Sequence, residues 1–229
     1  MPSSTVEQYI KTIYQEEERT QAPLVQMKRL SLAMEVTPGT ATAMVKHLAD
    51  NALVRYTPRK GVSLTAKGRK LALAMVRRHR LIETFLEQVL GYDWSEVHDD
   101  AERLEHAVSE TFLQRLDEYL GFPESDPHGD PIPSSDLVIE PGESIPLEHC
   151  PAGTSFTVAR IENADRERLL FMKENQVVPG EQFLMDQKNA TAGTITIQHR
   201  ESRASLTFGF DLAACVSVIV PAATLPNRK

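Results

Sequence analysis

A segment rich in proline and glycine separates two parts of this 229-residue chain that differ in sequence pattern. Residues 121–136, Gly-Phe-Pro-Glu-Ser-Asp-Pro-His-Gly-Asp-Pro-Ile-Pro-Ser-Ser-Asp, cannot form a helix, because proline lacks a backbone donor and clashes with the preceding turn. Apolar residues recur at helical spacing before this segment, and short alternating runs follow it. The pattern predicts a mainly α protein with a small C-terminal β domain.

The first 70 residues follow the element order of a winged helix-turn-helix. Two short alternating runs flank Pro58-Arg59-Lys60-Gly61, which is typical of a hairpin with a basic tip. In such a motif one helix enters the major groove of DNA, and the hairpin, called the wing, meets phosphates or the minor groove. Helical spacing predicts three helices before the wing, at about 5–18, 24–34 and 38–51, the third capped by Thr37.

Charge is distributed unevenly and favours double-stranded DNA as a partner of the N-terminal part. The formal net charge is −7, but residues 1–75 carry 11 basic and 6 acidic side chains, whereas residues 76–135 carry 5 and 14. DNA binding depends on Lys and Arg neutralising phosphates, with short polar side chains at the base edges. A winged helix that binds another protein is the alternative. The side chains expected to contact DNA are Lys28, Arg29, Thr37, Thr40, Thr42, Lys46, Arg59 and Lys60.

Two further helices, at about 68–89 and 95–120, carry more apolar surface than they can hide between themselves. A second copy of the chain is the natural cover for such faces, and DNA-reading helices commonly act in two-fold dimers. We therefore expect a homodimer on a near-palindromic operator.

Histidine and glutamate side chains crowd these two helices. His79 and Glu83 are four residues apart, and His98, Glu102, Glu105 and His106 fall on one helical face. Imidazole and carboxylate together suit first-row divalent ions, and no cysteine lies among them. The cluster predicts a metal site, the alternative being an acidic solvated helix whose histidines are incidental.

The Pro/Gly-rich segment offers two further candidate ligands. Asp126 and His128 are two residues apart and are able to reach an ion held by the helices. Asp-Pro-His-Gly is equally an ordinary turn, and the sequence does not decide between the two interpretations.

The part after residue 136 predicts a small β-barrel of SH3 type. The expected strands are 155–161, 182–185, 194–199, 204–210 and 215–220, with a helix at 167–175. No apolar run of about 18 residues and no secretory signal is visible, so we expect a cytoplasmic protein with no membrane partner. Cys150 and Cys215 fit no disulfide framework.

In this order, the winged helix, the His/Glu cluster, the Pro-His-Gly-Asp-Pro-Ile-Pro segment and the Val178-Pro-Gly-containing barrel resemble the diphtheria toxin repressor and manganese transport regulator family over nearly the whole chain. The resemblance implies a dimeric, metal-activated transcriptional repressor of metal uptake, with a C-terminal domain of the ferrous-transport accessory (FeoA) type. The domains it implies are 1–70, winged helix-turn-helix; 71–122, metal binding and dimerisation; 123–136, linker; and 137–221, SH3-like.

The resemblance also implies two ligand sets. His79, Glu83 and His98 match the family's ancillary site, whereas Glu102, Glu105, His106 and Gln8 match its primary site. Asp126 and His128 match the Cys and His ligands that some members carry in the linker. Glu162 and Asp165 are the nearest acidic candidates for an extra ligand from the barrel.

Departures from the family pattern bear on the metal. Iron-type members place a thioether at the position of Gln8 and a thiol at that of Glu102, whereas manganese-type members place carboxylates at both. Lys11 stands where short manganese-type regulators place an acidic ligand. With Glu102 present and sulfur absent, Mn²⁺ is favoured and Fe²⁺ is the alternative, whereas Co²⁺, Zn²⁺ or Ni²⁺ are expected to substitute.

Two functions of other classes compete with this interpretation. A winged-helix regulator that senses an organic ligand would leave the His/Glu cluster structural. A metallohydrolase would need an open coordination position and a positioned base, and it would have no use for a basic wing.

Overall fold

Three helices and a two-stranded hairpin form the N-terminal part of the chain in the computed structural model, which describes residues 3–140, 142–162 and 165–221. The strands of the hairpin are antiparallel, with Val54 opposite Leu64 and Thr57 opposite Gly61. Their apolar faces and those of the helices share one core. The elements are α1 (Ser4–Thr20), α2 (Met27–Ala33), α3 (Pro38–Asp50), β1 (Val54–Thr57) and β2 (Gly61–Leu64). This confirms the predicted order of helices and wing.

Side-chain caps fix where these helices begin. Thr37 accepts a hydrogen bond from the backbone N–H of Thr40, at 3.2 Å, and so begins α3 as predicted. The cap of α1 is Ser3, which accepts from Val6 N at 3.4 Å.

The second helix starts later than its apolar spacing predicts. Val25 exchanges two backbone hydrogen bonds with Val62 of the wing, at 2.8 and 2.9 Å. This bridge pairs Val25 with the hairpin and keeps it out of a helix, so α2 begins at Met27 and not at Leu24. The wing is thereby attached to the segment before α2.

The middle of the chain contains α4 (Ala66–Gln88), α5 (Val97–Glu105) and α6 (Glu110–Tyr119). The prediction of a single helix over 95–120 was wrong, because the chain leaves the helix after Glu105 and Ser109 caps a new one by accepting from Phe112 N at 3.2 Å. Leu81, Leu86, Val97 and Leu116 lie in the shared core of these helices.

The C-terminal part is a six-stranded antiparallel sheet of β3 (Ile145–Pro146), β4 (Ser155–Ile161), β5 (Gln182–Asn189), β6 (Thr194–His199), β7 (Ser205–Gly209) and β8 (Val216–Ile219). The strand order is β3-β8-β4-β5-β6-β7. The predicted strands at 155–161 and 194–199 are confirmed, but the strand predicted at 182–185 continues to Asn189. A register shift between Met185 and Gln187 lets the polar end of that strand stay paired with its neighbour. The helices of this part are α7 (Arg166–Glu174) and α8 (Phe210–Ala213), with a 3-10 turn at Leu147–His149.

Single side chains connect the three parts. Trp94, from the loop between α4 and α5, is buried in the core of the C-terminal sheet. Ile132 of the Pro/Gly-rich segment belongs to the core of the middle helices, and Ile139 packs against the N-terminal core. The segment between the helical and β parts is therefore attached to both helical cores.

None of the helices in the described ranges combines the length and the apolar character needed to cross a membrane. Cys150 and Cys215 are both buried free thiols.

Candidate functional site

The carboxylate of Glu83, buried on α4, lies at the centre of a cluster of possible ligands. Its Oε1 is 2.9 Å from Nε2 of His79, one turn earlier on α4, and 3.2 Å from Nδ1 of His98 on α5. Those two imidazole nitrogens are themselves 3.1 Å apart. The i,i+4 spacing on α4 and the packing of α5 against it bring the three residues together.

Asp126 and His128 lie beside the same carboxylate. Each of Glu83, Asp126 and His128 offers a ligand atom within 4.8 Å of the others. Asp126 Oδ1 accepts hydrogen bonds from the backbone N–H groups of His128 and Asp130, at 2.8 and 3.0 Å, so this stretch is also a turn. The stretch is thus a turn, and this turn places both side chains beside Glu83.

The electrostatics of the cluster favour a cation. Burial, together with the carboxylates of Asp130 and Glu83, raises the pKa of Asp126 well above its usual range. Burial alone would also raise the pKa of Glu83, but the charge of His79 and its hydrogen bond hold that pKa well below its usual range. Carboxyl groups buried so close together repel one another, and a bound divalent ion would remove that repulsion. The residues present therefore fit a divalent metal ion.

The ring of His79 is oriented for such a role. Burial alone would lower the pKa of His79, but the carboxylate of Glu83 and hydrogen bonds to Glu105 and Glu83 raise it to about 9. Nδ1 of the ring is 2.6 Å from Oε2 of Glu105. A carboxylate that accepts from Nδ1–H leaves Nε2 as the nitrogen available to a metal, which is the usual arrangement around metal-binding histidines.

The residues of the second predicted set contact one another and residues of α1, and Nε2 of His106 is 3.6 Å from Oε1 of Glu105. Gln8 donates from Nε2 to Oε1 of Glu102, at 3.2 Å, and Nδ1 of His106 is 2.9 Å from Oε2 of Glu7. His106 is the C-cap of α5. Among the described residues, the groups that bring three ligand atoms within 4.8 Å are the two that share Glu83.

Glu162 and Asp165 lie in other interactions. Asp165 caps α7 by accepting from Arg168 N, and Glu162 pairs with Arg160 at 2.6 Å and accepts from Ser217 Oγ at 3.0 Å. Within the described part of the chain, neither belongs to a cluster that includes Glu83.

Sequence reasoning did not foresee the contacts that two residues of α1 make at the site. Glu7 contacts His106, and Lys11, which is 1% exposed, donates to both oxygens of Glu105 at 3.0 and 2.8 Å. Their spacing with Gln8 on one helical face was a signal that α1 presents polar groups inward, but their partners lie more than 90 residues away in sequence.

The residues predicted to contact DNA lie on α2, α3 and the wing, and most are exposed. Exposed members are Lys28, Arg29, Thr37, Thr40, Lys46, Arg59 and Lys60. Thr42 is half-buried and donates its hydroxyl to the carbonyl of Pro38 at 2.7 Å, so its donor is already used within α3. Arg29 pairs with Glu16 of α1 at 2.6 Å.

Apolar side chains of the middle helices reach the surface, as expected for a face that a second copy covers. Leu104 on α5 is 42% exposed, Phe112 and Tyr119 on α6 are 46% and 70% exposed, and Phe122, just after α6, is 66% exposed. Helix α5, which carries Leu104, also carries His98 of the cluster around Glu83.

Comparison with known proteins agrees with these features. Residues 1–62 match the family model of the iron dependent repressor N-terminal DNA binding domain. Residues 65–134 match that of the iron dependent repressor metal binding and dimerisation domain.

Relatives extend the similarity along the chain. It is 32% identical over 226 residues to the iron-dependent repressor IdeR of Mycobacterium tuberculosis, covering 93% of this chain and 96% of that one. It is 36% identical over 132 residues to the diphtheria toxin repressor of Corynebacterium diphtheriae, covering 58% of each. A solved manganese-dependent transcriptional repressor in complex with manganese superposes with a TM-score of 0.87 at 37% identity, covering 94% of this chain and all of that one. The chain belongs to the iron-dependent repressor family of DNA-binding transcriptional regulators, which are not enzymes.

Proposed function

We propose that a divalent ion, with Mn²⁺ favoured and Fe²⁺ the alternative, binds the cluster centred on Glu83 and raises the affinity of this repressor for its operator. The observation that carries the proposal is a buried carboxylate shared by two ligand triads. The proposed ligands are His79, Glu83, His98, Asp126 and His128. Gln8, Glu102, Glu105 and His106, the second set predicted from the sequence, are not among the proposed ligands of this ion.

The chemistry of the donor set supports Mn²⁺ over softer ions. All five proposed ligands offer oxygen or imidazole nitrogen, and such sites suit hard to borderline first-row ions. Relatives are named for iron and structural neighbours for manganese, so both metals occur among similar proteins. Co²⁺, Zn²⁺ and Ni²⁺ are expected to substitute in solution.

Helix α4 offers a direct route from the ion to DNA. It follows the wing after one residue, Thr65, and carries His79 and Glu83 in its second half. A helix of 23 residues spans about 35 Å, so it joins the wing to the cluster as one rigid element. An ion that holds α4, α5 and the turn at residues 126–128 together would restrict the position of the DNA-binding domain relative to the dimer axis.

The exposed apolar side chains of α5 and α6 support a homodimer. We propose that this dimer binds a near-palindromic operator, with one DNA-binding domain in each half-site.

We further propose the domain boundaries 1–70, 71–122, 123–136 and 137–221, with the last domain of the SH3-like FeoA type. Core membership supports this division, since the apolar clusters fall mainly within these ranges.

The decisive experiment is operator binding over a series of metals. A duplex selected from random DNA in the presence of Mn²⁺ would be titrated, by fluorescence anisotropy, with protein plus Mn²⁺, anaerobic Fe²⁺, Co²⁺, Zn²⁺, Ni²⁺ or chelator. Salt is held fixed, because phosphate contacts make affinity depend steeply on it. We expect Mn²⁺ or Fe²⁺ to tighten binding at least about tenfold, which falls in the usual range of coupling between two sites. Equal affinity with metal and with chelator would refute the proposal.

A further inference from the structure

A buried ammonium group lies where the family resemblance puts a metal ion. Lys11 on α1 is 1% exposed, and its Nζ is 2.8 and 3.0 Å from the two oxygens of Glu105 and 3.6 Å from Oε1 of Glu102. It is also 3.0 Å from Nδ1 of His79. Burying a charge is costly unless it is paired, and here Glu105, which is fully buried, supplies the pair.

The position of Lys11 excludes a divalent ion on Glu105. Metal ions bind carboxylate oxygens at about 2.0–2.2 Å, so an ion between Glu105 and Glu102 would overlap the volume of Nζ and be repelled by its charge. Gln8 donates its amide N–H to Glu102 within the set, and Nδ1 of His106 faces Glu7 of α1. Among the described residues, the histidine and glutamate side chains of this set do not bring three ligand atoms within 4.8 Å of one another. The residues as arranged do not fit a second metal ion.

We infer that Lys11 is a built-in cation that replaces the second metal ion of this site. It attaches α1 to α5 through Glu105, whose Oε2 also contacts Nδ1 of His79 at 2.6 Å. Lys11, Glu105 and His79 therefore form a chain of contacts from the DNA-binding part to the cluster around Glu83. The inference rests on the proposed function only in taking that cluster as the place where an ion binds.

Mn²⁺ stoichiometry tests this role directly. Equilibrium dialysis would be run on the full-length wild type and on Lys11→Met, with Lys70→Met as the control that removes a charge from an exposed position. We expect Lys11→Met to bind one more Mn²⁺ per subunit than the wild type, because Glu102, Glu105 and His106 become available. We expect Lys70→Met to bind the same number as the wild type.

A second variant, Glu102→Gln, changes a residue that is not buried. The side chain of Glu102 is 40% exposed, so Glu102→Gln is expected to fold. In the wild-type background it should leave the number of bound Mn²⁺ ions unchanged, whereas added to Lys11→Met it should remove the extra ion.

Thermal unfolding in chelator gives an independent readout. Lys11→Met should melt at a lower temperature than Lys70→Met, because it leaves Glu105 buried without its counter-charge, and Mn²⁺ should restore much of the loss.

Two results would overturn the inference: loss of one Mn²⁺ per subunit in Glu102→Gln alone, or no gain of an ion in folded Lys11→Met. Failure of the proposed function would be a different result. In that case Glu83→Gln would bind as many Mn²⁺ ions per subunit as the wild type, and with the same affinity.

Discussion

His128 donates a hydrogen bond from Nε2 to the main-chain carbonyl of Trp94, across 2.9 Å. The bond leaves Nδ1 of His128 as the nitrogen available to an ion, so the carbonyl acts as an orienting partner of a proposed ligand. Trp94 itself is buried in the C-terminal core, and its neighbours Asp93 and Glu96 pair with Lys173 and Arg166 of the sheet domain. One loop of the helical part thus joins the sheet domain to the proposed metal site.

Trp94→Ala should lower both stability and metal affinity. Removing a buried tryptophan costs about 3–5 kcal/mol of unfolding free energy, and movement of the loop would disturb the carbonyl that orients His128. Urea unfolding followed by circular dichroism and calorimetric Mn²⁺ titration would measure the two effects. Tyr92→Ala, in the same loop but 37% exposed, is the control and should change neither by much. Equal effects of the two substitutions would contradict the anchoring role of Trp94.

Glu83→Gln should abolish most metal binding while keeping the helix intact. The amide keeps the size of the side chain but removes the charge shared by both triads, so Mn²⁺ affinity should fall by at least about 100-fold, beyond the range seen when an orienting partner is lost. Glu87→Gln, one turn later on α4, is the matched control. Calorimetry and metal-dependent operator binding provide the measurements, and a wild-type Mn²⁺ affinity in Glu83→Gln would rule the cluster out.

The stability of the metal-free protein should depend on pH through His79. Because the pKa of His79 is raised from 6.5 to about 9 in the folded protein, its stabilising contribution is complete below pH 6.5 and is lost as the pH rises through 9. We expect the free energy of unfolding to fall by up to about 3 kcal/mol over that interval. Mn²⁺ competes with the same proton, so its affinity should increase over the same interval. Urea titrations in chelator would measure the first effect, and an unchanged slope in His79→Gln would contradict this assignment.

Gly129→Ala should weaken metal binding without touching a ligand. Gly129 has a φ of +85°, and a Cβ there would lie 2.1 Å from the carbonyl oxygen of Ala159 on β4. The turn that carries Asp126 and His128 would have to move away from the sheet. Gly142→Ala is a suitable control, because a Cβ at Gly142 meets nothing within 4 Å. Calorimetric Mn²⁺ titration should separate the two variants, and equal affinities would mean that the turn tolerates displacement.

Lys60→Gln should reduce DNA affinity by a similar factor on every sequence. Lys60 is exposed at the wing tip, where we expect a phosphate contact and no base contact. Loss of one such contact should reduce the slope of log affinity against log salt by about 0.9. Anisotropy titrations at several salt concentrations, with Mn²⁺ saturating, would measure this against Lys70→Gln. A change in sequence preference would indicate base contact instead.

Local signals made much of the fold predictable. The cap of α3, the hairpin around Pro58-Arg59-Lys60-Gly61 and the strands at 155–161 and 194–199 each depend on residues close in sequence. The i,i+4 pair of His79 and Glu83 is local in the same sense, and this pair indicated the residue on which the candidate site is centred, Glu83.

Features that depend on distant residues were not predictable in this way. The pairing of Lys11 with Glu105 joins positions 94 residues apart, and Val25 leaves the helical pattern only because Val62 pairs with it. The break after Glu105 had a local signal, since Ser109 precedes Glu110 at the start of α6, but the continuous apolar spacing across it concealed the cap.

The packing of Ile139 against the N-terminal core has a practical consequence for truncation. A protein shortened to its two helical domains at residue 136 would lose a partly buried side chain that packs against the core of its DNA-binding domain. The DNA-binding domain of such a fragment would be less stable than in the intact protein. The operator affinity measured for the fragment would therefore be lower than that of the intact protein.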